Sequence, residues 1–167
     1  MNNALIVNIV RFVGIYLFQV LILFYVNIHP SINIFIYPLF ILLLPIRIPH
    51  SVLILSAFLM GVLVGLTYNA VGEHAAASVF IAFLRPTVLQ IMEPRGGFDP
   101  NHSPNKHHFG MSWFFQYATI LILIHFLAVF SLEVFGINAI VMLKLVLSYI
   151  ISIIIILLFK LLFNPKT

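Results

Sequence analysis

Apolar residues occupy six runs of the chain, and most polar residues gather between those runs. A helix needs about 20 mostly apolar residues to cross the hydrocarbon core of a membrane. The pattern therefore predicts a single integral membrane domain, residues 1–167, folded as an all-α, compact bundle of about six transmembrane helices. The predicted helices cover residues 5–26, 35–46, 52–68, 74–92, 112–132 and 137–163.

Prolines interrupt two of these runs. The run at 35–46 is short and is bounded by Pro38, Pro45 and Pro49, which predicts a short or broken helix buried among the others. Pro86 is expected to break the fourth helix. Residues 94–111 are polar and rich in proline and glycine, and they form the one sizeable loop that we expect outside the membrane.

Composition agrees with a chain that is solvated by lipid. The sequence is 63% hydrophobic and 7% charged, whereas a soluble domain carries about 25% charged residues. It has no cysteine, which excludes disulfides, thiol catalysis and thiolate metal sites. The formal charge of +4 is small and dispersed, so nucleic acid is not an expected partner. The first run does not follow the order of a signal peptide, and we expect it to remain as a membrane helix.

Basic residues indicate how the bundle is oriented. With six crossings and both termini in the cytoplasm, the outer connections carry only Glu73 and Glu133. Cytoplasmic loops of membrane proteins are enriched in lysine and arginine, which favours this orientation. If residues 35–46 did not cross, the charge bias would be reversed, so we expect that run to cross. The basic residues placed inside are Arg47, Arg95, Lys106, Lys160 and Lys166.

Polar side chains interrupt the first helix at Asn8, Arg11 and Gln19, roughly on one face. An ionised arginine at the centre of an isolated helix costs roughly 2.5–3.5 kcal/mol on insertion scales. Near the cytoplasmic end, Arg11 can extend its guanidinium to the lipid headgroups. Snorkelling or a structural bond between helices is the favoured interpretation, and a functional contact is the alternative.

Three ionisable groups fall at similar depth near the turn between the last two helices. His125 and Lys144 lie on opposite sides of that turn, and Glu133 lies above them. Ionisable residues inside a membrane are functional candidates by default. We favour a buried structural cluster of these three groups over a partner or ligand contact, and either over proton coupling.

Small residues form a row in the third helix at Ala57, Gly61 and Gly65. Such a row lets another helix approach closely and gain van der Waals contact. Packing within the bundle is the favoured interpretation, and dimerisation is the alternative.

The stretch VGEHAAASVFIAFLRP combines charged ends with an apolar middle. We place Glu73 and His74 at the outer mouth of the fourth helix, where a carboxylate complements the positive helix N-terminus. The alanines around Ala76 provide a smooth flank for close helix contact. Arg85, directly before Pro86, is expected to reach headgroups, exposed carbonyls of a neighbouring helix, or a cytoplasmic partner.

No catalytic, cofactor or metal site is predicted. The loop histidines His102, His107 and His108 resemble a metal cluster only loosely, since zinc requires an ordered set of four ligands. A solvated loop that contacts a partner is the favoured interpretation. The acidic residues lie at or beyond helix ends, and no nucleophile motif is present, so intramembrane hydrolysis has no evident machinery.

Several short motifs occur in a fixed order along almost the whole chain. They are RF…FQVLI, IYPLFILLLP, the glycine-rich third helix, G-x-HAAA-x-VF-x-AFLRP, EPRGGFDP, W-F-x-x-Y, H-F and LE-x-F. In this order they resemble the MreD family of bacterial rod-shape-determining membrane proteins. The family in turn resembles, more distantly, the six-helix substrate-binding membrane subunits of energy-coupling-factor vitamin transporters.

The resemblance implies a non-enzymatic component of the cell-wall elongation machinery in the bacterial cytoplasmic (inner) membrane. It implies an MreC-like partner with one membrane span and, indirectly, MreB-, RodA- and transpeptidase-type proteins. It also implies a requirement for rod shape and lateral peptidoglycan synthesis. The alternative function, from the more distant likeness, is a small-molecule-binding subunit of a vitamin-type transporter, for which Gln19, His125, Glu133 and Lys144 are the candidate contacts.

One position departs from the family pattern. Gly65 stands where the pattern G-L-x-x-D would place an acid late in the third helix. A role that depends on that carboxylate is therefore not expected in this chain, and close packing at Gly61 and Gly65 is expected instead.

Overall fold

The computed structural model describes residues 2–26, 29, 32–94, 97–98, 104, 109–134 and 138–162. Within these residues the chain is helical and contains no strand, which confirms the predicted all-α bundle. A short 3-10 helix, Leu23–Tyr25, follows the first α-helix. The α-helices are α1 (Asn2–Leu21), α2 (Pro38–Leu42), α3 (His50–Tyr68), α4 (Val71–Ile91), α5 (Met111–Val134) and α6 (Ala139–Leu162).

Five of the described helices are long and apolar enough to cross a membrane. They are α1, α3, α4, α5 and α6, and most of their large outward side chains are apolar. α4 packs against α3 and α5, and α5 packs against α6. Asn69 ends α3 in the left-handed conformation, with φ 55°, and the backbone N–H of Ala70 donates to the carbonyl of Gly65 at 2.9 Å. This tight turn makes α3 and α4 an antiparallel hairpin.

α1 and α3 run in the same direction. At one end, the Gln19 amide lies 2.8 Å from the Tyr68 hydroxyl, and these residues are in the last turns of α1 and α3. At the other end, Asn8 of α1 and Val52 of α3 line one cavity. The chain must therefore run back through the bundle between the two helices. We call this part, residues 32–49, the return segment.

The return segment is mostly not helical. Residues 32–36 belong to neither a helix nor a strand, and their backbone groups bond alternately to α6 and to Gln19, which indicates extended backbone. α2 contains five residues and spans about 7.5 Å, and the rest turns toward Pro49. Every residue from Ile34 to Leu44 is buried. The predicted short helix buried among the others is confirmed as α2, but it covers only part of 35–46. The run nevertheless passes from one end of the bundle to the other.

Local sequence explains this conformation. The isoleucines at 32, 34 and 36 are β-branched and favour extended backbone. Pro38 fits the first turn of α2, where no N–H donor is needed, and Pro45 prevents the helix from continuing. Non-helical backbone at membrane depth is tolerated only where protein buries it and provides its hydrogen bonds.

The predicted break of the fourth helix at Pro86 is wrong. α4 continues through Pro86 to Ile91. Pro86 is exposed on the outer face of α4, so its ring does not disturb a neighbouring helix. A proline inside a membrane helix removes one hydrogen bond, and local adjustments can satisfy the freed carbonyl.

Candidate functional site

A buried histidine cluster, formed by Tyr37, His74 and His125, lies beside the middle of the return segment. The Tyr37 hydroxyl is 2.8 Å from His74 Nδ1 and 2.6 Å from His125 Nε2. All three side chains are almost entirely buried. Phe35 packs edge-on to His74 at a centroid distance of 4.9 Å. The cluster joins the return segment to α4 and α5.

The hydroxyl has one proton, so Tyr37 donates to one histidine and accepts from the other. His125 Nδ1 is buried and has no partner among the described residues. A buried N–H without an acceptor is less tolerable than an unused lone pair. We therefore assign the proton of His125 to Nε2, which donates to Tyr37, and Tyr37 donates to His74 Nδ1. This tautomer assignment gives a directional chain of neutral groups.

Gln19 binds the extended part of the return segment with both the oxygen and the nitrogen of its side-chain amide. Its Oε1 accepts from the backbone N–H of Ile36 at 2.8 Å and of Tyr37 at 3.3 Å. Its Nε2 donates to the carbonyl of Ile34 at 2.9 Å and to the Tyr68 hydroxyl at 2.8 Å. The side chain thus replaces the neighbouring strand that extended backbone would have in a sheet.

Two serines of α6 bind the opposite edge of the same extended backbone. The Ser148 hydroxyl accepts from the N–H of Asn33 at 2.9 Å, and the Ser152 hydroxyl accepts from the N–H of Phe35 at 3.0 Å. These serines are not among the residues predicted from the sequence. Their spacing of four residues puts them on one helix face, which was the available signal.

Arg85 binds the other end of the return segment. Its Nε donates to the Tyr117 hydroxyl at 2.9 Å, and its terminal nitrogens donate to the carbonyls of Leu44 and, at 3.4 Å, Pro45. Tyr117 in turn donates to the carbonyl of Leu42 at 3.2 Å. Arg85 is only 1% exposed, so it does not reach the headgroups. Of the three expected partners, it uses backbone carbonyls, and these belong to the return segment.

Arg11 makes a similar bond near the same end. One terminal nitrogen donates to the carbonyl of Leu43 at 2.7 Å and to Asn8 Oδ1 at 3.1 Å. The structural bond proposed for Arg11 is thus present, and its acceptor is again backbone of the return segment.

The predicted layer of His125, Lys144 and Glu133 is wrong as a single cluster. Lys144 Nζ lies 2.6 Å from Glu133 Oε1 and 4.9 Å from the ring centroid of Phe130. His125 instead bonds to Tyr37. The separation follows from helix faces, since Lys144 and Glu133 are partly exposed whereas His125 points into the core.

Gly61 and Gly65 lie inside the contact between α3 and α4. A Cβ added at Gly61 would lie 2.5 Å from the carbonyl oxygen of His74 and 2.7 Å from Ala75 Cα. A Cβ added at Gly65 would lie 2.6 Å from Val71 Cα. The bundle therefore has no room for an aspartate at Gly65, where the family pattern would place one.

The remaining predicted residues lie on the outside of α4 or beyond the described chain. Glu73 is half-buried in the first turn of α4. Ala76 is exposed and does not contribute to the α3–α4 contact, whereas Ala75 and Ala77 are buried. The loop histidines His102, His107 and His108 lie outside the described residues.

The polar residues described above provide a set of hydrogen bonds to the return segment. Within the described ranges, no three histidine, aspartate or glutamate side chains are grouped to hold a metal ion. The polar groups in the core bind backbone or each other. The buried polar atoms that have no partner within the same ranges are His125 Nδ1, Ser78 Oγ and Thr119 Oγ1.

The fold and its internal polar clusters define a multi-pass helical membrane protein with one buried, largely non-helical segment. Comparison of the chain with protein-family models, curated proteins and solved structures found no match.

Proposed function

We propose that this chain is a non-enzymatic component of the bacterial cell-wall elongation machinery in the cytoplasmic membrane. In this proposal it binds an MreC-like protein and is needed for rod shape and lateral peptidoglycan synthesis. MreB-, RodA- and transpeptidase-type proteins are its indirect partners.

One observation carries the proposal: residues from separate motifs of the family resemblance meet around the return segment. These motifs are far apart in the sequence, yet their polar residues converge on one element of the fold. The motif residues that meet are Gln19 of FQVLI, Tyr37 of IYPLF, His74 of HAAA, Arg85 of AFLRP, Tyr117 of W-F-x-x-Y and His125 of H-F.

The contacts also favour a scaffold. Gln19 and Arg85 bind backbone groups of their own chain, and Tyr37 bridges two histidines. Side chains held in this way stiffen the bundle and leave its outer faces for other proteins. A rigid bundle that presents fixed outer surfaces is suited to holding a partner's membrane span.

We place the partner on the outer face of α4. Gly72 and Ala76 are exposed there and lie four residues apart, a spacing that allows close approach of a second helix. Ala76→Leu should leave the bundle stable, because the residue points outward, and should reduce the MreC-like protein that co-purifies. Ala139→Leu, an exposed alanine on α6, is the matched control.

The decisive test is depletion of the protein in a rod-shaped host, followed by microscopy and by labelling of new wall. Depleted cells should become round and lose lateral incorporation, and the wild-type gene should restore both. Cells that keep their shape and their labelling pattern after complete depletion, with no second copy present, would refute the proposal.

A second candidate, the binding subunit of a small-molecule transporter, is favoured by a mainly polar cavity. The cavity has a volume of about 230 Å³ and lies beside Tyr68, His29 and Asn33, where the return segment begins. It is smaller than the roughly 300–1,000 Å³ of ordinary ligand sites. Native mass spectrometry of the purified protein would show a stoichiometric metabolite if this function were the correct one.

A further inference from the structure

A groove opens between α1 and α3 at the ends where both helices begin. Its volume is about 530 Å³, and the return segment forms its floor. The wall residues are almost all apolar, and the few polar ones include Ser56 and Arg47. The α1 side is formed by Leu5, Asn8, Ile9 and Phe12, and the α3 side by Val52, Ser56 and Leu59.

The length of the groove matches one leaflet of a bilayer. It extends along α3 from Pro49 at the helix start to Leu59, which at 1.5 Å per residue is about 15 Å. The hydrocarbon core is about 30 Å thick, so this is half of it. Beyond this depth, the bond between Gln19 and Tyr68 joins α1 to α3. The groove is therefore too short to hold a helix that spans the whole membrane, but it is long enough for the acyl chain of a lipid in one leaflet.

A positive charge lies at the open end of the groove. Arg47 lines it and is exposed, and with the rest of the described chain it makes neither a hydrogen bond nor an ion pair. Arg11, by contrast, is committed to the carbonyl of Leu43. The first turn of α3 contains no acidic residue and no side-chain cap, so its backbone N–H groups add positive potential at the same end.

We propose that this groove is a binding site for an anionic phospholipid. One acyl chain lies between α1 and α3, and the phosphate pairs with Arg47. Arginine binds phosphate in a bidentate manner, and basic pockets between membrane helices on the cytoplasmic side bind anionic headgroups. The site does not depend on the proposed role in wall elongation, because it can be measured on the purified protein.

The test is native mass spectrometry of the delipidated full chain, titrated with phosphatidylglycerol or with phosphatidylcholine of the same acyl length. One paired charge near a membrane surface contributes enough for about a fivefold preference. We expect phosphatidylglycerol to bind about fivefold more tightly. Arg47→Gln should abolish the preference, and Arg47→Lys should retain most of it. Equal affinities in the wild type, or an unchanged preference in Arg47→Gln, would overturn the proposal.

A second pair of variants tests the acyl-chain part of the site. Ser56→Phe should fill the groove and weaken both lipids several-fold, whereas Leu66→Phe, on the exposed part of α3 outside the groove, should not. Thermal melting verifies that both variants fold, and if Ser56→Phe unfolds, Val52→Phe replaces it. A folded groove-filling variant that binds both lipids as tightly as Leu66→Phe would overturn this part.

Two further arms separate the lipid from other occupants. Millimolar inorganic phosphate should not displace phosphatidylglycerol, and displacement would make this a site for free phosphate. A photo-reactive amino acid at Val52 should form lipid adducts in native membranes. Adducts to a second polypeptide in place of lipid would show that a protein helix occupies the groove, and would overturn the proposal.

Discussion

Replacing Arg85 by lysine tests whether the guanidinium holds the end of the return segment. Lysine keeps the charge, so insertion and orientation of α4 are unaffected. Its ammonium is a single donor centre on a flexible chain, whereas different nitrogens of the planar guanidinium bind the Tyr117 hydroxyl and the Leu44 carbonyl, so we expect lysine not to reproduce both contacts. At least two of the bonds to arginine should therefore be lost.

The expected magnitude follows from the number of bonds lost. A hydrogen bond between membrane helices contributes about 0.6 kcal/mol on average and about 1.7 kcal/mol at most. Two lost bonds therefore correspond to a loss of about 1–3 kcal/mol in the free energy of unfolding. The upper half of this range is expected because Arg85 is nearly inaccessible, and water cannot replace its nitrogens at the freed carbonyls.

The assay is reversible unfolding in mixed micelles, with Arg47→Lys as the matched control. Arg47 is exposed and makes no hydrogen bond within the described chain, so the same substitution there should change the free energy of unfolding by less than about 0.5 kcal/mol. If Arg85→Lys is as stable as Arg47→Lys, the guanidinium geometry is not required, and the argument for Arg85 as a backbone ligand fails.

Three other substitutions test the remaining contacts. Tyr37→Phe should lower the free energy of unfolding by about 1–3 kcal/mol, because both histidines lose their partner in the core. Gly61→Ala should be destabilising by about 1–3 kcal/mol, since the added methyl meets backbone of α4, whereas Gly14→Ala has open space and should not be. Ser152→Ala should speed hydrogen exchange at the amide of Phe35, whose acceptor it removes.

Each of these predictions has a result that contradicts it. A Tyr37→Phe variant as stable as Tyr25→Phe, which changes an exposed tyrosine, would show that the histidine cluster is unimportant for stability. Equal effects of Gly61→Ala and Gly14→Ala would contradict the close α3–α4 contact. Unchanged exchange at Phe35 in Ser152→Ala, compared with Ser56→Ala, would place its acceptor elsewhere.

The long helices were predictable because each is a continuous apolar run of membrane length. In the return segment the prolines predicted the short buried helix, but the non-helical backbone on either side was not predictable, because residues 35–46 are as apolar as a buried helix of the same length. Its conformation depends on side chains from α1, α4, α5 and α6 that satisfy its backbone. Hydropathy indicates whether a run is apolar enough to be buried, but it does not indicate which groups bond to the backbone of that run.

The polar side chains of the site were mostly predictable, but their partners were not. Four residues stood out as polar positions in apolar runs. Two of them, His74 and His125, belong to the histidine cluster, and the other two, Gln19 and Arg85, bind backbone of the return segment. Their partners did not stand out, because most are backbone carbonyls and N–H groups that every residue carries. Tyr37 was overlooked because tyrosine is common in membrane helices and its hydroxyl has no sequence pattern of its own.

The serine bonds to the return segment impose an order on biosynthesis. Ser148 and Ser152 follow their partners by 115 and 117 residues, so the ribosome makes α6 long after residues 33 and 35. At about 5–20 residues per second, this interval is roughly 6–23 seconds. During it, the extended backbone lacks two acceptors, and lipid cannot supply them. The nascent chain must therefore keep this part in the insertion machinery, in water, or temporarily helical until α6 has been made.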